Sequence, residues 1–99
     1  MSFNKLVRDK IPEIIEAEGR VCNYHILEDK EYIKELKKKL NEEVDEFLES
    51  DNPEELADIL EVVYALGKAI QCSEEKINDI RKKKADKRGA FDKKIFLEE

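Results

Sequence analysis

Leu40-Asn41-Glu42-Glu43-Val44-Asp45-Glu46 is followed, beyond a break at Asp51-Asn52-Pro53, by Glu55-Leu56-Ala57-Asp58. Apolar residues recur with helical period on both sides of the break. Tyr32, Leu36, Leu40 and Phe47 share one face before it, and Leu56, Ile59, Leu60, Val63, Leu66 and Ile70 share one after it. Two long helices are predicted, one capped by Asp29 and running to about Ser50, the other from the break to about Gln71. Glu43 and Glu46 stand three residues apart, as do Glu55 and Asp58, so each pair projects from one side of its helix. If the helices pack side by side, the carboxylates converge. Such a cluster repels itself unless it is solvated, protonated or neutralised by a cation. The usual neutraliser is a hard divalent ion, and Mg²⁺ held by carboxylates normally has phosphate as its other partner.

Helical phase sharpens the expectation. Glu43 falls within roughly 20° of Leu36 on the wheel, among the apolar residues, and Glu46 lies at the border of that stripe. Glu55 projects at the flank of the second stripe, with Asp58 just beyond Val62. Glu42, Asp45, Glu49 and Glu54 point away and read as solvent-facing. A Glu inside a buried stripe is costly unless it is paired or coordinated.

A plainer explanation exists for some of these acids. The chain is 44% charged, so acidic pairs at this spacing arise by chance. Asn52-Pro53-Glu54-Glu55 also reads as N-cap, N1 proline and a Glu at N3, a capping box in which Glu55 bonds back to the backbone of Asn52. Asp58 could serve the helix dipole. Glu43 is the residue that such explanations absorb least well.

The 99 residues allow one domain with a modest core, taken as 1–99. With three glycines, two prolines and no tryptophan, the composition favours long helices built on Leu, Ile and Val over a turn-rich β architecture. So thin a core, with apolar stripes on several helices, predicts burial against a second copy in a homodimer or higher homo-oligomer. The net charge of −6 argues against broad nucleic-acid binding. Cys22 and Cys72 lack metal-type spacing and read as thiols of a reducing cytoplasm. No apolar leader or membrane-length run is present, so a cytoplasmic protein without a membrane partner is expected.

Along the rest of the chain, Phe3 to Val7 is expected to be extended. Asp9 can cap a helix through about Glu18, with Pro12 in its first turn and Gly19 as its stop. Val21 to Leu27 leans to strand by residue type and can pair with Phe91 to Leu97. Ser73 can cap a last helix to about Lys87, ended by Arg88-Gly89. The fold class is therefore all-α in the main, an antiparallel helix bundle with room for a short two-stranded pairing of 21–27 with 91–97.

Two further features could carry chemistry. Arg81, Lys82, Lys83, Lys84, Lys87, Arg88, Lys93 and Lys94 concentrate positive charge near the C-terminus. Lys84, Lys87 and Arg88 are the candidate phosphate contacts among them, against the plainer reading of a solvated helix end. Asn4-Lys5-Leu6-Val7-Arg8-Asp9-Lys10 could bring Lys5 and Arg8 over the site or to a subunit interface. His25 stands alone, and no Gly-rich phosphate loop, nucleophile elbow or Cys/His zinc pattern is present.

Glu42-Glu43-x-x-Glu46 with Glu55-x-x-Asp58 resembles the signature of the all-α NTP pyrophosphatases, which include MazG-like enzymes, phosphoribosyl-ATP pyrophosphohydrolase and dimeric dUTPases. The opening Asn4-Lys5-Leu6-Val7-Arg8-Asp9-Lys10-Ile11-Pro12 and the late Lys87-Arg88-Gly89-x-Phe91 resemble a small subgroup described as house-cleaning NTP pyrophosphatases. The resemblance covers nearly the whole chain. It implies Mg²⁺-dependent cleavage (Mn²⁺ as a possible substitute) of a nucleoside triphosphate between its α- and β-phosphates, giving monophosphate and pyrophosphate. It places the metal on the positions of Glu43, Glu46, Glu55 and Asp58, and gives Glu42, beside Glu43, a supporting or base-like part in catalysis. Within the class the alternative is phosphoribosyl-ATP pyrophosphohydrolase of histidine synthesis. From another class, the alternative is a non-catalytic helical module that binds metal or protein.

Overall fold

A computed structural model of the chain describes residues 4–98. Four helices follow one another: α1 (Ile11–Ala17), α2 (Asp29–Ser50), α3 (Pro53–Ala69) and α4 (Glu74–Arg88). No strand occurs among the described residues, so the chain is all-α.

Local chemistry sets the helix ends. α2 stops where Asp51 turns into the left-handed region, at φ 55°, with its N–H donating to the Phe47 carbonyl at 2.8 Å. Asp is among the few residues that enter this region readily. Asn52 then caps α3, its side-chain oxygen accepting from the Glu54 N–H at 2.9 Å, and Pro53 occupies the first turn. Ser73 caps α4 through the Lys76 N–H at 3.1 Å, and Gly89, at φ 85°, ends it with its N–H on the Ala85 carbonyl. Two expected caps are corrected. The N-cap of α1 is Lys10 rather than Asp9, and that of α2 is Glu28 rather than Asp29, neither with a side-chain cap bond.

The two-residue link folds α2 and α3 into an antiparallel hairpin. Among the described residues, Leu36 (3% exposed) and Val62 (8%) are the buried large apolar side chains within it. α4 packs on α3 near the turn between them, where Gly67 meets Ile77. α1 lies apart from these three. One chain therefore supplies a hairpin with one helix against it, too little apolar packing to close a bundle by itself.

The two-stranded pairing is absent. Residues 20–28 and 94–98 carry no strand. Lys94 adopts φ 56°, and its N–H reaches back to the Phe91 carbonyl, so a turn interrupts the expected second strand. Val21, Ile26, Phe91, Ile95, Phe96 and Leu97 all stay exposed. Two strands with no surface to bury against are marginal in water. At the N-terminus, residues 6–8 are without regular structure, while Phe3, the start of the expected extended opening, lies outside the described residues.

The accessible surface is 9432 Å², against roughly 5,800 Å² for a folded monomer of this mass. The radius of gyration is 17.4 Å, where a compact domain of this length has about 13 Å. Apolar side chains contribute to it: Leu48, Leu56, Leu60 and Ile80 on the helices, and Ile70 at the end of α3, are open to solvent.

The close approach at Gly67 yields a prediction. A Cβ there would overlap the Ile77 Cδ1 atom and sit 2.7 Å from the Cys72 carbonyl oxygen. Ile77 can shift, but the backbone oxygen cannot shift cheaply. Gly67→Ala is expected to destabilise the chain by about 1–3 kcal/mol in urea denaturation, despite the better helix propensity of alanine.

Candidate metal centre

The hairpin places the acids. Glu46 and Glu55 lie at equal sequence distance from the Ser50–Asp51 junction, and so do Glu43 and Asp58. In an antiparallel pair joined by so short a link, positions equidistant from the turn face each other. The i, i+3 spacing on each helix then stacks the two facing pairs one turn apart. Glu43, Glu55 and Asp58 each offer an oxygen, and these oxygens all lie within 4.8 Å of one another. Glu46 is close enough to Glu43 and Glu55 to raise both their carboxyls. Three of the four carboxylates proposed as ligands from the sequence, Glu43, Glu55 and Asp58, thus converge, with Glu46 beside them.

Glu43 is the buried member, 8% exposed. Its Oε1 lies 3.7 Å from the Lys39 ammonium, one turn back on α2, while its Oε2 is buried without a hydrogen-bond partner. Burial first, and then Glu46 and Asp58, push its carboxyl above the ordinary value of 4.5, with Lys39 opposing. Glu55 is raised too, by loss of hydration first and then by Glu46, Asp58 and Glu43. Glu55 does not close the capping box. The Asn52 N–H donates to the Ser50 hydroxyl instead, at 3.2 Å. Asp58 accepts from the Arg8 guanidinium at 2.6 Å.

The donor set suits a hard cation. Every donor is a carboxylate oxygen, the ligand type of Mg²⁺ and Mn²⁺, with no histidine or thiol in the cluster. A buried carboxylate oxygen without a partner is expensive, and a bound cation would satisfy it. The residues therefore fit the ion that the sequence suggests.

Beside the cluster, residues 5–11 and the α2–α3 hairpin enclose a cleft of about 740 Å³. Glu43 and Asp58 stand in its wall together with the cations Lys5, Arg8, Lys10, Lys39 and Lys68, and Tyr32 and Tyr64 add aromatic surface. Lys5 and Arg8 are thus brought to the site. Lys84, Lys87 and Arg88 are not: they are exposed on the last turns of α4, and none lines the cleft. Glu42 is exposed and lines a small hollow with Lys38 and Lys39, apart from the cluster. Sequence reading passed over Lys39 and Lys68. Lys39 was within reach, because it lies four residues before Glu43 and shares its face; Lys68 has no local signal that ties it to the acids.

No family model matches the chain, and no solved structure matches it. Over 47 residues it is 49% identical to an uncharacterized protein of Mycolicibacterium smegmatis (strain ATCC 700084 / mc(2)155), a match covering 48% of each chain. The match spans about half the length of that relative.

The raised carboxyls carry a stability signature with a definite sign. A carboxyl whose folded pKa exceeds its unfolded value contributes most below the unfolded value, and that contribution is lost as pH rises through the folded one. In a chelator, Glu43→Gln is therefore expected to gain thermal stability relative to the wild type as pH rises from below 4.5 towards neutrality. A divalent ion should shrink the difference. A melting-temperature difference that stays flat with pH would remove the crowding described for Glu43.

Proposed function

We propose that the chain is a Mg²⁺-dependent nucleoside triphosphate pyrophosphohydrolase, with damaged or non-standard NTPs as the substrate class. The observation that carries this is the buried Glu43, with an unpartnered oxygen, set beside Glu55, Asp58 and Glu46 in the wall of a cleft that Arg8, Lys39 and Lys68 also line. The resemblance of Glu42-Glu43-x-x-Glu46 and Glu55-x-x-Asp58 to the all-α NTP pyrophosphatases supports the same reading.

Glu43, Glu46, Glu55 and Asp58 would hold the ion. Bound there, Mg²⁺ supplies neutralisation of phosphate charge and acidification of water. The chain's own cations, Arg8, Lys10, Lys39 and Lys68, draw the polyphosphate into an otherwise acidic protein and hold it in line. The cleft volume is that of a small-molecule site, and Tyr32 and Tyr64 offer flat surface to a base or sugar. Glu46 is the cluster carboxylate most open to solvent, and we assign it as proton acceptor for the attacking water. Water adds to a phosphorus of the α–β anhydride, its proton passes to the carboxylate, and the bridging P–O bond breaks. Monophosphate and pyrophosphate leave.

The active unit in this reading is a homodimer. The apolar side chains left open along α3, Leu56 and Leu60, are the surface such an assembly would bury. No helix among the described residues is long and apolar enough to cross a membrane. Cys22 and Cys72 are free thiols, which suits a cytoplasmic setting.

Two measurements test this. Pyrophosphate release from a panel of standard and damaged NTPs, with phosphoribosyl-ATP included, is expected to require Mg²⁺. Glu43→Gln and Asp58→Asn should each lower the rate by about 100-fold or more while the helical signal persists. Wild-type rates in both variants would sink the site. Sedimentation equilibrium at micromolar concentration is expected to return about twice the 11.6 kDa chain mass, and Leu60→Glu to return one chain. A wild-type chain that sediments as a monomer would overturn the dimer.

A further inference from the structure

We propose that Arg8 is an exchangeable counter-cation, which holds Asp58 while the cluster lacks a divalent ion and moves to substrate phosphate once the ion is bound. The inference rests on the divalent-ion reading above and extends it to the coupling between ion and substrate.

The geometry sets two cations against one carboxylate. Arg8 Nη2 lies 2.6 Å from Asp58 Oδ1. Asp58 is also one of the residues whose oxygens converge within 4.8 Å. A divalent ion in that cluster and a guanidinium at its rim repel each other, so each weakens the hold of the other on Asp58.

Arg8 and Lys39, the cations seen on these carboxylates, are held differently. Lys39 projects from the middle of α2 with its side chain 23% exposed, beside the buried Glu43. Moving it away means stripping an ammonium from a buried carboxylate. The Arg8 side chain is 58% exposed and springs from a stretch with no helix or strand. Turning it costs no helix hydrogen bond. Arg8 already lines the cleft, so a rotation of its long side chain keeps the guanidinium among Lys39 and Lys68, where phosphate would lie. Its planar fork can take two phosphate oxygens at once, a stronger arrangement than its single bond to Asp58. Lys39 is thus a fixed cation and Arg8 a mobile one.

Coupling of this kind is reciprocal. An ion that displaces Arg8 prepares the cleft for an anion, and an anion that captures Arg8 clears Asp58 for the ion. Without its guanidinium the chain should hold the ion better alone and the polyphosphate worse.

Calorimetric titration of the full chain with Mn²⁺ alone, and then of the Mn²⁺-saturated chain with tripolyphosphate, reads both effects without turnover. Arg8→Gln is expected to bind Mn²⁺ roughly fivefold tighter or more, and tripolyphosphate roughly fivefold weaker or more. Arg8→Lys keeps the charge without the fork, so it should stay near the wild type for Mn²⁺ and lose part of the tripolyphosphate affinity. Equal or weaker Mn²⁺ binding by Arg8→Gln overturns the exchange, and a weaker value makes Arg8 a support for Asp58 instead. A wild-type chain that binds no Mn²⁺ sinks the divalent-ion reading itself, and this inference falls with it.

Discussion

Mutual repulsion among Glu43, Glu46, Glu55 and Asp58 is the constraint around which the hairpin is arranged. Four carboxylates facing one another across two packed helices oppose the packing that brings them together. The chain answers with raised carboxyl pKa values at Glu43 and Glu55, with the Lys39 ammonium beside one acid and with the Arg8 guanidinium on another. Each relieves part of the strain and leaves one Glu43 oxygen unsatisfied. A surface cluster would be screened by water. At Glu43 water cannot do this, because that residue sits in the same apolar stripe as Leu36.

The rest of the fold follows from how little else holds the hairpin. Leu36 and Val62 are its buried large apolar side chains among the described residues, and α4 adds a close contact at Gly67. A small chain that spends buried positions on a carboxylate has few left for a core of its own. The open apolar residues of α3 and the extended outline are the counterpart of that choice.

Helical period made most of this legible from sequence. The break at Asp51-Asn52-Pro53, the cap by Asn52, the phase of Glu43 against Leu36 and the i, i+3 spacing of both acid pairs are local signals, and the structure follows them. The misses arose where local preference needs a partner surface. Val21–Leu27 and Phe91–Leu97 have strand-forming residues but nothing to lie against, and Lys94 turns the second of them. Lys84, Lys87 and Arg88 looked like phosphate contacts because charge density is visible in sequence, whereas the direction of α4 relative to the cleft is not. The reverse holds for Lys68, whose place in the cleft depends on the path of residues 5–11. Glu42 and Glu43 are neighbours in sequence, yet on a helix neighbours point about 100° apart, and only Glu43 turns inward.

All four acids come from one uninterrupted hairpin, joined by the tight turn at Asp51. Closing so short a loop loses little chain entropy, and its contacts are near in sequence, so this part of the molecule belongs to the fast-forming class of folds. The ligand set can therefore assemble before the N-terminal segment and α4 have found their places. The turn also fixes the phase of one helix against the other. Lengthening the two-residue link would let α3 re-seat against α2 and draw the facing acids apart, whereas length changes in 20–28 or beyond Gly89 leave their register untouched. The arrangement of the acids is thus tolerant of length at the ends and in the 20–28 loop, and intolerant of it in the two residues between α2 and α3.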